Sequence, residues 1–132
     1  MLINMMLLWM SWVALCIFDT NKIELSGVVR YAGLALSFTG VILFLIALFT
    51  IKALETYEGD LITKGIYSKI RHPMYLGFVF WLAGFPVFNG ALFAMVLAVV
   101  FIANVLFWRH LEEKELIDRF PDYKEYAGKT FF

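Results

Sequence analysis

The sequence predicts an all-α, polytopic membrane protein with about four transmembrane helices, a cytoplasmic loop and a C-terminal helix. Hydrophobic residues make up 62 % of the 132 residues and the mean hydropathy is +0.80, whereas soluble domains are roughly 45–50 % apolar. The apolar residues fall in long runs without charge, and the basic residues are unevenly placed between them. A chain of this length predicts a single domain, and its zero net charge gives no indication of nucleic-acid binding.

The first two apolar runs predict a pair of N-terminal transmembrane helices. Met1–Phe18 contains no charged residue and lacks the basic start and small-residue cleavage site of a secretory signal. We therefore expect a retained helix, ended by a polar turn at Asp19–Lys22. The second run, from Ser26 to Ile51, is uncharged after Arg30. Since about 20 apolar residues span a ~30 Å hydrocarbon core, this run can cross a membrane with some tilt.

Small residues on one face of the second helix predict close helix packing. Gly33, Ser37 and Gly40 are spaced by four and three residues, which places them on the same side of a helix. In lipid, residues of this size let helix backbones approach closely. A homo-oligomer formed through this face is a further prediction.

The third apolar run predicts a helical hairpin. No residue from Pro73 to Trp108 is charged, and one helix of that length would measure roughly 54 Å, nearly twice the bilayer core. Pro86, together with Asn89-Gly90, is predicted to break the run into two helices. The first of them should begin around His72–Met74, because proline suits the first turn of a helix.

The basic residues indicate how such a bundle is oriented. Lysine and arginine are enriched on the cytoplasmic side of membrane proteins. With four helices, both termini and the loop at 52–72 share one side, and that side holds most of the basic residues. We therefore predict a multi-pass protein with both termini in the cytoplasm. The basic residues on that side are Lys52, Lys64, Lys69, Arg71, Arg109, Lys114, Arg119, Lys124 and Lys129.

Two polar clusters should meet on the cytoplasmic side, because a hairpin returns its end to the place where it began. The first cluster contains Tyr67, Arg71, His72 and Tyr75. The second contains Arg109, His110, Glu112 and Glu113, in a helical tail predicted to end at Phe120-Pro121-Asp122. Aromatic rings beside carboxylates at a membrane edge suit a cationic ligand, through cation–π attraction and charge pairing.

The motifs in the second half of the chain resemble those of the isoprenylcysteine carboxyl methyltransferase and phospholipid methyltransferase family. The resemblance covers Lys52 to Tyr126 in family order. Its elements are Leu61-Ile62-Thr63-Lys64-Gly65-Ile66-Tyr67, Arg71-His72-Pro73-Met74-Tyr75-Leu76-Gly77, Glu112-Glu113 with Leu116 and Phe120, and Tyr123 with Tyr126. It implies a membrane-embedded, S-adenosylmethionine-dependent methyltransferase. Residues 1–51 would then form an N-terminal helix pair and residues 52–126 the methyltransferase core of a single membrane domain.

The resemblance also implies which residues form the site. The cofactor contacts would fall on Lys52, Asp60, Leu61, Ile62, Tyr67, His72, Pro73, Met74, Tyr75 and Glu112. Arg109 is the candidate for an arginine that meets the acceptor, with Trp108 at the alternative register. A carboxylate acceptor would be oriented by Arg109, whereas an amine or thiol acceptor would need a base, for which Glu113 is the candidate. Methyl transfer from a sulfonium needs alignment of the reacting atoms and no covalent enzyme intermediate.

The acceptor is expected to be a lipophilic small molecule or a lipidated group that enters from the bilayer, with membrane lipids as neighbours. An isoprenylcysteine carboxylate is the most favoured acceptor, and a phospholipid amine or a small thiol are the alternatives. A non-enzymatic membrane scaffold or a small transporter is a different class of function, although a transporter would need an ionisable residue within a span. A metal site at His72, His110 and Glu112 is not expected, because the ligand spacing of a helical zinc motif is absent.

Overall fold

We describe residues 2–51 and 60–132 of a computed structural model, with side chains described from residue 7 onward. These residues form five α-helices and one 3-10 turn, joined by short connections with two isolated β-bridges. The elements are α1 (Leu2–Phe18), α2 (Gly27–Ile51), the turn at Gly65–Ser68, α3 (Pro73–Asn89), α4 (Leu92–Arg119) and α5 (Tyr123–Lys129). The all-α class is therefore confirmed.

Two of the helices are long and apolar enough to cross a membrane by length and composition, namely α2 and α4. α1 and α3 are apolar but shorter, at 17 residues each, which corresponds to about 26 Å of helix against a ~30 Å hydrocarbon core. The structure is thus that of an apolar helical bundle with a charged end, and the topology of four spans with cytoplasmic termini stays a prediction.

The small residues of α2 pack against glycines of α3, as the sequence predicted for a close helix contact. A Cβ atom on Gly40 would lie 2.5 Å from the carbonyl oxygen of Gly77, and one on Gly33 would lie 2.8 Å from that of Gly84. Ser37 is buried in the same seam. α3 therefore covers this face within the chain, and a homo-oligomer stays a prediction.

α1 packs into the angle between α3 and α4. Its Trp12 and Cys16 are buried against Ala91, Ala94 and Ala98, whose small side chains let the helices approach. Nearer the start of α1, a cluster of five aromatic side chains links α1 to α2 and α3. The ring centroids are 4.7–6.2 Å apart, in the range of favourable aromatic pairs. The members of the cluster are Trp9, Phe44, Phe78, Trp81 and Phe85.

The hairpin turns at Gly90, as predicted, but Pro86, which was predicted to contribute to the break, lies inside the helix. Pro86 lies within α3, and its carbonyl accepts the backbone N–H of Ala91 at 2.9 Å. The left-handed φ of +62° at Gly90 ends the helix, as glycine commonly does. A proline three residues before a helix end removes only one bond of the last turn, so the helix continues through it.

The connection between α1 and α2 caps this turn. The Asp19 carboxylate accepts the backbone N–H of Ala94 at 3.1 Å in the first turn of α4, and the Lys22 ammonium donates to the Cys16 carbonyl at 2.6 Å. Arg30 donates through Nε to the Phe88 carbonyl near the end of α3, at 2.9 Å. An anion at a helix start and cations at helix ends match the helix dipole.

α4 continues without a break from the apolar run into the charged tail. Its 28 residues correspond to about 42 Å of helix, and it ends at Arg119, with Phe120 as the C-cap. This end was predicted correctly. The short helix α5, which the sequence analysis did not identify, follows Pro121 and folds back towards the start of α3. It places Tyr123 and Tyr126 beside the first polar cluster.

Candidate active site

The segment before α3 is tied to the end of the described chain. The backbone N–H of Arg71 donates to the Phe131 carbonyl at 3.0 Å, and the N–H of Phe131 donates to the Lys69 carbonyl at 2.8 Å. The Arg71 guanidinium donates through Nη1 to the carbonyls of Ala127 and Thr130. Arg71, which the sequence placed in the cluster without a role, therefore connects the loop to the residues after α5.

The two polar clusters meet through Glu113, as the hairpin geometry predicted. Its Oε1 lies 3.1 Å from Nε of Arg71 in the loop, and its Oε2 lies 3.6 Å from Nη2 of Arg109 one turn earlier on α4. All three side chains are at most 22 % exposed. Arg109 also stacks on the ring of Phe132, 4.3 Å from its centroid. Trp108, the alternative register, is 56 % exposed, so Arg109 is the residue that joins the site.

His72 lies at the centre of the cluster and is 5 % exposed. It is the N-cap residue of α3, immediately before Pro73. Its Nδ1 is 4.0 Å from Oε2 of Glu112, and its Nε2 is 3.9 Å from Oε1 of Glu113 and 3.4 Å from the Tyr123 hydroxyl.

The His72 ring is neutral at physiological pH. Burial lowers the pKa of His72 to about 4, and the nearby guanidiniums of Arg109 and Arg71 act in the same direction. The two carboxylates near the ring favour its charged form. They do not reverse the shift, because Glu113 is already paired with both arginines and the ring has little contact with water.

Glu112 is the carboxylate of the cluster that faces outward. The Tyr75 hydroxyl donates to it, and the His72 ring lies beside it, yet its side chain is 43 % exposed against 21 % for Glu113. Glu113 is bound by two guanidiniums, whereas in the described part of the chain no arginine or lysine lies within ion-pair distance of Glu112. One of the two adjacent carboxylates is thus paired with guanidiniums, whereas the other is half-exposed and accepts from a phenol.

The tyrosines of α5 hold this arrangement in place. Tyr123 is 1 % exposed and reaches His72, and the Tyr126 hydroxyl donates to the backbone carbonyl of Tyr67. Tyr67 is itself buried at 7 % exposure, and burial raises the pKa of its phenol. The motif with Tyr123 and Tyr126 gave no role to either residue in the sequence analysis. Only their position on a helix that folds back could have revealed one.

The remaining predicted residues differ in how they relate to this cluster. Pro73 is buried at the start of α3, and Met74 follows it half-buried. Asp60 is exposed, while Leu61 and Ile62 are half-buried in the segment before the 3-10 turn. No described hydrogen bond or ion pair joins the side chain of Asp60 to the cluster. Lys52 lies outside the described residues.

His110 is exposed on α4 and does not join His72. Within residues 2–51 and 60–132, no group of three or more His, Cys, Asp or Glu side chains could hold a metal ion. The charges that the cluster does contain balance, with two guanidiniums against two carboxylates around a neutral imidazole.

Comparison with known proteins identifies the family. The family model for phospholipid methyltransferases matches residues 28–122, from the second residue of α2 through both polar clusters to the N-cap of α5. The chain belongs to the phospholipid methyltransferase family. This confirms the resemblance of its motifs, and it assigns the arginine–histidine–proline loop and the paired glutamates to the region that the family shares.

Two curated relatives are similar to this chain. Methanethiol S-methyltransferase 1 of Bradyrhizobium diazoefficiens is 32 % identical over 115 residues, covering 77 % of this chain and 38 % of the relative. Protein-S-isoprenylcysteine O-methyltransferase of Schizosaccharomyces pombe is 36 % identical over 76 residues, covering 53 % of this chain and 30 % of the relative. The chain thus spans well under half the length of either relative. No solved structure matches it.

Proposed function

We propose that this protein is a membrane methyltransferase that uses S-adenosylmethionine and acts on a lipophilic acceptor, with an isoprenylcysteine-like carboxylate the most favoured. Membership of the phospholipid methyltransferase family supports the reaction type. The names of the two relatives include a thiol methyltransferase and an isoprenylcysteine O-methyltransferase, so the acceptor has to be argued from the site itself.

The observation that carries the proposal is the half-exposed carboxylate of Glu112 beside the buried loop before α3. A cofactor with a sulfonium and an ammonium group needs a carboxylate that is not already neutralised by a guanidinium. Glu112 meets this requirement, since its donor in the cluster is the Tyr75 phenol and its neighbour is a neutral imidazole. The residues present therefore fit the cofactor.

The rings of Tyr67 and Tyr75 and the backbone of Pro73 and Met74 would complete the contacts, with Asp60, Leu61, Ile62 and Lys52 as further predicted positions. When bound, S-adenosylmethionine supplies an activated methyl group. This chain has to hold the acceptor in line with that group and exclude water. An apolar bundle with its polar cluster at one end suits both tasks.

Arg109 is the residue that we assign to the acceptor. Its guanidinium is largely buried, and its contacts in the described structure are Glu113 and the face of the Phe132 ring. A planar guanidinium recognises a carboxylate through paired hydrogen bonds. It would hold the acceptor's carboxylate with one oxygen directed at the transferable methyl group.

The state of Glu113 favours a carboxylate acceptor over an amine or a thiol. An ammonium or a neutral thiol must lose a proton before it can attack, and Glu113 was the candidate base. Its two oxygens, however, lie against Arg71 and Arg109, so both already have guanidinium partners and neither is free to receive a proton from an acceptor. A carboxylate acceptor is already deprotonated at neutral pH and needs no base. Phospholipid amines and small thiols are the second choice.

The setting proposed for this reaction is a multi-pass membrane protein with both termini and the cluster on the cytoplasmic side. α2 and α4 are long and apolar enough to support it, and exposed apolar residues of α4 next to the cluster, Phe107, Trp108 and Leu111, offer a lipophilic acceptor a path from the bilayer. A non-enzymatic scaffold is the alternative class and would show no turnover.

Transfer of a radiolabelled methyl group tests the proposal. Purified full-length protein in lipid nanodiscs is incubated with methyl-labelled S-adenosylmethionine and, in separate reactions, with an S-farnesyl cysteine, phosphatidylethanolamine or an alkane thiol. We expect label on the farnesyl cysteine as a base-labile methyl ester. Label on the amine or thiol instead would contradict the acceptor, and label on none of them by protein that is folded would contradict the activity.

A further inference from the structure

Tyr123 is buried, and its hydroxyl group lies within hydrogen-bond distance of the His72 ring. The residue is 1 % exposed, and its hydroxyl oxygen is 3.4 Å from Nε2 of His72. Burial raises the pKa of Tyr123 to about 12, with the Glu113 carboxylate acting in the same direction. The phenol therefore keeps its proton and needs an acceptor, because a buried donor without one destabilises the fold.

A neutral imidazole carries one N–H and one lone pair, so His72 has two tautomers that differ in which partners they satisfy. With the proton on Nδ1, the lone pair on Nε2 accepts from Tyr123, and the Nδ1–H faces Oε2 of Glu112 at 4.0 Å. With the proton on Nε2, the Tyr123 proton has no acceptor among the described residues, and a lone pair faces the Glu112 carboxylate.

Glu113 does not favour the second tautomer strongly, although its Oε1 is 3.9 Å from Nε2. That oxygen already lies 3.1 Å from Nε of Arg71, and the other oxygen faces Arg109. A hydrogen bond from Nε2–H of His72 would therefore stabilise Glu113 little. In the same tautomer the hydrogen bond from the Tyr123 hydroxyl to Nε2 would be lost.

We propose that Tyr123 is a positioning residue that fixes His72 as the Nδ1–H tautomer and thereby directs an N–H towards Glu112. The carboxylate is then approached by two donors, the Tyr75 hydroxyl from α3 and the His72 ring before it. This orients Glu112 without neutralising its charge. The inference rests on the proposed function, because it makes Tyr123 an indirect determinant of how well Glu112 holds a cationic cofactor.

The two tyrosines of α5 then have different roles, since only Tyr123 acts on the tautomer of His72. Tyr126, one turn further along the helix, donates its hydroxyl to the Tyr67 carbonyl and does not reach His72 by any described hydrogen bond. Removal of either hydroxyl weakens the contact between α5 and the loop, but only removal of the Tyr123 hydroxyl changes the partner of the imidazole. The Tyr126→Phe variant is therefore the matched control for Tyr123→Phe.

Nitrogen NMR of the histidine side chains tests the tautomer without any ligand. The chain has two histidines, so the full-length His110→Gln protein, labelled with ¹⁵N-histidine, reports His72 alone. We expect a protonated Nδ1 and an unprotonated Nε2 in this background and with Tyr126→Phe added, and a substantial population of the Nε2–H form with Tyr123→Phe. An Nε2–H ring in the parent protein, or no change with Tyr123→Phe, would overturn the proposal.

Calorimetric binding of S-adenosylmethionine to the same proteins tests the consequence. We expect Tyr123→Phe to weaken binding about 10-fold, the size of one lost hydrogen bond, and more than Tyr126→Phe does. A tautomer change without a loss of affinity would overturn the positioning role. A parent protein with the Nδ1–H ring that binds no cofactor would instead contradict the proposed function, and the two failures are therefore distinguishable.

Discussion

The two ends of the helical bundle use charged side chains in opposite ways. At the hairpin turn, Asp19, Lys22 and Arg30 bind backbone groups at the ends of helices, so each charge completes a helix. At the other end, Arg71, Glu113 and Arg109 bind one another. There the charges connect separate segments and leave one neighbouring carboxylate, Glu112, half exposed. In this bundle the charges that are not used on helix ends are therefore the ones that build the candidate site.

Both ends depend on the seam between α2 and α3, and a change in that seam should have the largest effect. In Gly40→Ala the new methyl group would lie 2.5 Å from the Gly77 carbonyl oxygen, so the helices must separate. We expect a loss of about 1–3 kcal/mol in stability, the usual cost of overpacking, measured by thermal unfolding in detergent. Gly27→Ala is the control, because nothing lies within 4 Å of a Cβ there. Equal unfolding temperatures for the two variants would contradict the close packing.

Removing the Glu113 carboxylate, which Arg71 and Arg109 share, should disrupt the end of the bundle that carries the candidate site and leave the hairpin end intact. Glu113→Gln leaves the largely buried guanidiniums of Arg71 and Arg109 without a counter-ion. We expect destabilisation of about 2 kcal/mol, below the 3–5 kcal/mol typical of a fully buried pair because some solvent reaches these groups. The control is Glu125→Gln, whose ion pair with Lys129 is more than 70 % exposed and whose loss should not be measurable. If both variants unfold alike, the buried network contributes nothing.

Acid should weaken the site end through His72. Its pKa in the folded protein, about 4, is below the ordinary value near 6.5, so the unfolded chain binds more protons between these two values. His72 therefore leaves the free energy of unfolding unaffected by pH above about pH 6.5. As the pH falls from 6.5 towards 4, the free energy of unfolding decreases by at most about 1.4 kcal/mol per pH unit.

Unfolding temperatures measured from pH 7 to pH 4 check this dependence. His72→Asn should flatten the profile, whereas His110→Gln, at an exposed position, should leave it unchanged. A profile that is equally steep in the His72 variant would show that other groups cause the acid sensitivity.

The smallest expected effect is at the hairpin end. Asp19→Ala removes a carboxylate that caps α4 through the Ala94 N–H, and loss of such a cap lowers helix stability modestly. We expect a slightly lower unfolding temperature and unchanged cofactor affinity. A loss of affinity in this variant would mean that the two ends are not independent, which would contradict the comparison.

Local patterns in the sequence were sufficient to predict the helices and the meeting of the two polar clusters. Charge-free runs and the proline at the start of α3 predicted the helices α1 to α4. The hairpin predicted that the cluster with Arg71 would meet the cluster with Glu113, as it does. Gly90 rather than Pro86 ends α3, because the proline lies within the last turn, where few backbone bonds remain to be lost. Asn89-Gly90 was part of the predicted break, and the left-handed φ at Gly90 explains why the chain turns there.

The contribution of α5 could not be read from the sequence. Its seven residues form too short a segment for hydrophobic periodicity to reveal, and isolated helices of that length are unstable. Tyr123 and Tyr126 have partners 51 and 59 residues away, so their roles follow only from the chain folding back. For the same reason the sequence could not show which of the adjacent glutamates is engaged and which is exposed.

The measurement that tests the central claim most directly is calorimetric binding of S-adenosylmethionine to the wild type, to Glu112→Gln and to Asp118→Asn. Asp118 lies on the same helix, is exposed and carries the same charge, so it controls for a general electrostatic effect. We expect the wild type and Asp118→Asn to bind alike and Glu112→Gln to bind about 30- to 100-fold more weakly, as for a lost charge-assisted hydrogen bond. Equal binding by all three proteins, or no binding by folded wild type, would contradict the assignment of Glu112 to the cofactor.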